Sequence, residues 1–327
     1  MSPDAPISTL RFALRAANAF IVDMLAVCRG GRDFTDALIM TTLVQCNSAP
    51  LAGDHELQIR YAAFESPPPI SVLRPISINA IATSLGLPFE TVRRRTKALI
   101  VEGVCEAVPE GIRFREEALV SPEQRRMVDQ TYAMARTLYQ RMRRAGCIDL
   151  MELPDRPVVS WEKETAPVRI VWRAACDYAL RMMEHLLPNV PSLSQGFTLL
   201  AVFRANTDEL PDAIRGGEGV EVEDFVPDSF RRPARASDVA AMLGMPHETV
   251  RRHLAALLEA GRCVRVRDGV VVPAAVLARP NVLGAWGANF RYLNRMFAEL
   301  AELGVLALWD AEMEAQDAAR ACRLSSS

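Results

Sequence analysis

LGLPFETVRR, residues 85–94, returns as LGMPHETVRR at residues 243–252, 158 positions later. In each copy a glycine and a proline stand between two segments of helical apolar period. Gly86 and Gly244 suit the left-handed conformation that ends one helix and turns the chain. Pro88 and Pro246 suit the first position of the next helix, where a missing N–H costs nothing. The stretch therefore reads as helix, tight turn, helix. An internal repeat is the first pattern to weigh, and this one divides a chain of 327 residues almost in half.

The match spreads outward at the same offset. Arg15-Ala16-Ala17 pairs with Arg173-Ala174-Ala175, Pro75 with Pro233, Gly103 with Gly261, Cys105 with Cys263, and Gly146 with Gly304. One residue of slippage, between Cys46-Asn47 and Ala205-Asn206, keeps the frame. Two long copies are too few for a solenoid and point to tandem domains, here 1–152 and 153–327. In each, apolar periodicity predicts a first helix (9–28; 168–187) and a strongly apolar second one (35–46; 194–205). Long connections follow, 48–75 and 207–234, whose role composition leaves open. The second carries eight acidic residues from Asp208 to Asp228.

Ser77 then reads as the N-cap of a short helix through Ser84, with Ile78, Ile81 and Ala82 inward. The helix after the turn is expected over about 88–102, with Val92, Thr96, Leu99 and Ile100 on one face. Its counterpart, about 246–260, buries Val250, Leu254, Leu257 and Leu258. Short β-rich runs follow, 104–108 with 112–114 and 263–266 with 270–272. Pro109-Glu110-Gly111 and Arg267-Asp268-Gly269 mark the turns between them. A long helix closes each unit, at 122–145 and 280–303.

The segments IATSLGLPFETVRRRTKALIVEGV and VAAMLGMPHETVRRHLAALLEAGR, each with its hairpin, resemble the DNA-binding domains of prokaryotic winged-helix transcriptional regulators. The resemblance covers about 40 residues in each copy. It implies a mainly α protein with small β-hairpin wings: two tandem winged helix-turn-helix units (about 76–115 and 234–273) with flanking helices. It also implies a sequence-specific DNA-binding regulator with two recognition helices. Separate regulators of this kind commonly dimerise through flanking helices, so one chain can imitate a dimer about an internal pseudo-twofold. The sequence leaves open a monomer acting as a pseudo-dimer or a homodimer, and whether a small-molecule effector takes part.

A recognition helix buries one face and turns cations, donors and acceptors to the major groove. The outward set is Phe89, Glu90, Arg93, Arg94 and Lys97 in the first copy, and His247, Glu248, Arg251, Arg252 and the neighbouring His253 in the second. Thr91 and Thr249, in the first turn, suit phosphate. Wing residues Arg113 and Arg115, and Arg265 and Arg267, are placed for backbone or minor groove. Arg93, Arg94, Arg95 and Lys97 against Glu90 and Glu102 give the first helix a net charge of +2, while Arg251 and Arg252 balance Glu248 and Glu259 in the second. More of the non-specific attraction is therefore expected from the first. The plain reading is intrahelical Glu–Arg pairs on a solvated face. The retained Arg-Arg pair tips the balance to DNA.

A net charge of −2 excludes a non-specific DNA coat and leaves a specific binder open. It also lends weight to the alternative, a non-catalytic winged-helix scaffold for protein partners. Four histidines, with no phosphate loop, metal-ligand cluster or nucleophile motif, argue against an enzyme, a cofactor and a metal. Seven cysteines lack CxxC spacing, and Cys105 and Cys263 read as small buried apolar groups. Asp4, Arg11 and Arg15 interrupt any secretory signal, and no uncharged apolar run reaches the roughly 20 residues of a span. The expected location is cytoplasmic, at the nucleoid, with double-stranded DNA as partner and no membrane. Trp172, Trp286, Tyr178 and Phe290 read as helix-packing groups.

Overall fold

The structure, a computed structural model, describes residues 7–162, 165–214 and 216–325, with side chains through 319. Asp4 and its neighbours lie outside the described residues. The protein is mainly helical with two small antiparallel two-stranded sheets. The first repeat runs α1 (Ile7–Arg29), α2 (Phe34–Asn47), then short turns α3 (Ala49–Ala52) and α4 (His55–Arg60) in the connection. It continues with α5 (Ile78–Leu85), α6 (Phe89–Val101), β1 (Cys105–Val108), β2 (Gly111–Phe114), α7 (Glu116–Leu119) and α8 (Pro122–Arg144). The second follows the same order: α9 (Val168–Leu186), α10 (Leu193–Thr207), α11 (Ala236–Leu243), α12 (His247–Glu259), β3 (Val264–Val266), β4 (Gly269–Val271), α13 (Ala274–Leu277) and α14 (Pro280–Glu302). A last helix, α15 (Val305–Ser325), has no counterpart in the first repeat. The sequence reading did not anticipate it.

Local chemistry accounts for these boundaries. The Ser77 hydroxyl accepts from Ala80 N at 3.1 Å and starts α5, and Ser121 caps α8 in the same way. Gly86 and Gly244 end α5 and α11 at φ +59° and +63°, the left-handed region expected of them. Pro88 and Pro246 differ from expectation by one position. They sit in extended conformation at the N-cap, and their carbonyls accept from Thr91 and Val92, and from Thr249 and Val250. Glu90 and Glu248 thereby fall at the second helical position.

One asparagine per repeat ties the second helix to the hairpin. Asn47 Nδ2 donates to Arg74 O (2.8 Å) and Ile112 O (3.3 Å), while its Oδ1 accepts from Phe114 N (2.9 Å). Asn206 repeats the set on Arg232 O (2.6 Å), Val270 O (3.1 Å) and Val272 N (2.9 Å). Beside each, a bridge adds a third short strand to the hairpin, Ile76 to Ile112 and Ala234 to Val270. The slippage at Cys46-Asn47 is what keeps these asparagines equivalent.

The first helix of each repeat packs on its own repeat and also on the other. Helix α1 lies against α10 and α11, and α9 lies against α2 and α5, while α1 and α9 also cover α8 and α14. The turn glycines meet the ends of these helices. A Cβ on Gly86 would stand 2.7 Å from Leu187, just past α9, and one on Gly244 would collide with the Arg29 guanidinium at the end of α1. Leu187 and Arg29 are themselves 158 positions apart, so the exchange is reciprocal.

Both long connections are held down by that same exchange. Arg169 Nε and Nη2, from α9, donate to Ala63 O, Phe64 O and Leu119 O at 2.7–3.2 Å. Arg173 reaches Tyr61 O and Gln58 O. Arg11 and Arg15, from α1, take Gly217 O, Gly219 O and Asp224 O, and Pro211 O and Ile214 O, in the acidic connection. Arg11 also stacks on Phe225 at 4.2 Å, as Arg169 does on Phe64 at 4.7 Å. A fixed guanidinium fork suits several carbonyls that a buried connection would otherwise leave unpaired. Burial pushes Arg169 and Arg173 down to about 10, which leaves both charged at neutral pH.

Candidate functional site

The exposed faces of α6 and α12, with the hairpins beside them, collect the residues singled out in the sequence. Val92, Thr96 and Leu99 are buried under α6, and Val250, Leu254 and Leu257 under α12. Half-buried Ile100 and Leu258 flank these rows. Outward stand Phe89, Glu90, Arg93, Arg94 and Lys97, and equivalently His247, Glu248, Arg251 and Arg252, all exposed. Thr91 and Thr249 are half-buried in the first turns. Arg265 and Arg267 are exposed on the second hairpin, whereas Arg113 is half-buried and Arg115 exposed on the first.

Pairing divides this set. Arg93 bonds Glu90 at 2.8–2.9 Å, and Arg251 bonds Glu248 at 3.2 Å, both at a spacing of three. The pairing raises Arg93 and lowers Glu90, with the hydrogen bond the larger cause for each. Arg113 is held across the hairpin by Glu106 (2.8 Å), and Arg115 lies 3.3 Å from Glu117. Arg94, Lys97, Arg252, Arg265 and Arg267 have no carboxylate partner among the described residues.

Arg95, counted in the net charge of the first helix, and His253, expected outward, both turn inward. Arg95 reaches Asp33 (2.9 Å) and Asp36 (3.4 Å) at the start of α2, so its charge is used inside the fold. Its counterpart His253 meets Thr198 of α10 at 3.1 Å, and burial, with Arg252 nearby, lowers its pKa. The position joins the second helix of each repeat to the helix after the turn. With the charge of Arg95 used inside the fold, the first helix keeps only Lys97 as an excess over the second. The second hairpin, with Arg265 and Arg267, carries as many unpaired cations as the first helix.

Cys105 and Cys263 are buried at the base of the hairpins, and burial pushes both thiols up to about 12, as small apolar groups require. No group of three metal-ligating side chains occurs among the described residues, and no single helix there is long and apolar enough to cross a membrane. Trp172, Tyr178 and Phe290 are buried between helices, with Tyr178 donating to Asn289. Trp286 is only half-buried and lines a cavity with Phe225. The sequence reading missed the clamp, although Arg11 and Arg169 keep the 158-residue offset that would have pointed to it. No family model, curated protein or solved structure matches the chain.

Proposed function

We propose that the chain is a sequence-specific DNA-binding transcriptional regulator built as two winged helix-turn-helix units. Helices α6 and α12 are the recognition helices, and the hairpins β1–β2 and β3–β4 are the wings. The observation that carries this reading is the outward pair Arg93-Arg94, repeated as Arg251-Arg252 on helices whose other face is buried. An exposed guanidinium at the start of such a helix matches guanine O6 and N7, and the glutamate before it can accept from cytosine N4. Arg93 and Arg251, tethered to Glu90 and Glu248, are pre-aimed, which lowers the ordering cost on binding. The reciprocal packing of α1 and α9 supports a fused dimer, in which one chain presents two heads about an internal pseudo-twofold.

The ion pairs favour a second reading. Glu90 with Arg93, and Glu106 with Arg113, are satisfied without DNA, as a protein-binding scaffold would have them. One experiment separates the two. Binding sites are selected from random duplexes, and the best is titrated against the wild type and against Arg93→Ala/Arg94→Ala. A loss of tenfold or more on the selected site, with a smaller loss on unrelated DNA, is the expected result. Unchanged affinity of a folded double variant for the selected site overturns the reading.

A further inference from the structure

Helices α6 and α12 leave their turns on nearly superposable backbones. Gly86 lies at φ +59°, ψ +32° and Gly244 at φ +63°, ψ +33°. Pro88 lies at φ −57°, ψ 133° and Pro246 at φ −55°, ψ 133°. The carbonyls of both prolines hold the next amides alike, those of Thr91 and Val92 and of Thr249 and Val250. The first residue of each helix, Phe89 or His247, therefore projects from the same frame. A difference between the heads at this point is a difference of side chain alone.

Spacing sets that residue in a row. Side chains four apart share a helix face, so the first head presents Phe89, Arg93 and Lys97, and the second His247, Arg251 and Ala255. The middle member is common to both rows and is held by the same partner, Glu90 for Arg93 and Glu248 for Arg251. The leading member is not. Phe89 is an apolar ring, 45% exposed, standing among charged neighbours. His247 is exposed in its place and carries a ring N–H in either protonation state.

The leading residues of a recognition helix are the ones that reach base edges. For an apolar ring the major groove offers one methyl, that at C5 of thymine, whereas an imidazole N–H finds its acceptor at N7 of a purine. Positions 89 and 93 lie about 6 Å apart along the helix axis, roughly two base-pair steps of about 3.4 Å. We propose that the two heads read half-sites that share a guanine, taken by Arg93 or Arg251, and differ at one letter about two base pairs away. That letter is a thymine selected by Phe89 in one half and a purine selected by His247 in the other. The proposal rests on the DNA reading and adds to it the residues that tell the two halves apart.

The test selects duplexes from a random pool with the full wild-type chain and aligns the bound sequences. Two half-sites with a common guanine and one unlike letter are expected. Deoxyuridine in place of the assigned thymine removes only the methyl and should weaken binding about fourfold, the worth of one buried methyl. A 7-deazapurine in the other half removes only N7 and should weaken binding about fivefold, the worth of one hydrogen bond. Phe89→His and His247→Phe each copy the sibling residue at an exposed position. The first should select a purine in both halves and lose its response to deoxyuridine, and the second should select thymine in both. A wild type that prefers a site of two like halves, or of one half, overturns this proposal and leaves the regulator reading standing. So does indifference to either base analogue, or an unchanged preference in either folded variant. A wild type that selects no duplex overturns the regulator reading and this proposal together.

Discussion

The two repeats share a skeleton and divide their charge differently. In the first, the uncompensated cations sit on the helix, at Arg94 and Lys97, and the hairpin arginines are paired with Glu106 and Glu117. In the second, the helix keeps Arg252, and the hairpin carries Arg265 and Arg267 exposed. The connections differ less. Each has a buried anchor, Ala62 and Phe64 in the first and Phe225 in the second, and the second borders a cavity. The side chains that satisfy backbone groups, Asn47 and Asn206, Arg11 and Arg169, thus recur, whereas the outward charges differ.

The largest expected asymmetry is in the clamps. Arg169→Ala strands carbonyls of Ala63, Phe64 and Leu119 in a packed interior and should cost about 4 kcal/mol of stability. Arg11→Ala frees carbonyls in a connection that can turn to water and should cost about 2 kcal/mol. Denaturant titration of both variants checks the order, and equal losses would erase the distinction between the two connections.

Next comes a predicted sameness. Asn47→Ala and Asn206→Ala each remove three hydrogen bonds, two to the hairpin and one to the connection, and each should cost about 2 kcal/mol. The same titration measures it, and a twofold disparity would show that the repeats are not equivalent at their base.

The charge comparison is sharpened on DNA. Arg265→Ala/Arg267→Ala should weaken binding roughly tenfold and lower the slope of log affinity against log salt by about two. Arg113→Ala/Arg115→Ala, already paired within the fold, should lower it by less than one. Titration at several salt concentrations separates the wings, and matching slopes would break the contrast.

The smallest effect is at the turns. Gly86→Ala and Gly244→Ala each force a side chain into the left-handed region, at about 1 kcal/mol. Gly86→Ala should lose a few tenths more, because the guanidinium tip of Arg29 swings aside more readily than a Leu187 methyl. Thermal melts resolve the pair, and no loss in either would remove the turn glycines from the account.

The reading of the sequence and the structure agree most closely where signals are local. Ser77 as a cap, Gly86 and Gly244 as turns, and the buried rows from Val92 and Val250 all follow from backbone geometry and helical period. Pro88 was displaced by one residue because φ near −60° serves an N-cap as well as a first helical position. Helical period separates Arg95 from the outward Arg93 and Arg94, but only the position of α2 supplies its partners Asp33 and Asp36.

By itself, then, the sequence determined the duplication, the order of elements within each unit and the outward faces of α6 and α12. These depend on interactions among residues a few positions apart. Tertiary structure alone decided that α1 packs also on the second repeat and α9 also on the first, and that their arginine pairs clamp the opposite connections. Apolar periodicity says that a helix face must be buried but carries no address for its partner. The choice between packing within a repeat and packing across repeats is made by shape and by distant carbonyls that only the folded chain brings together.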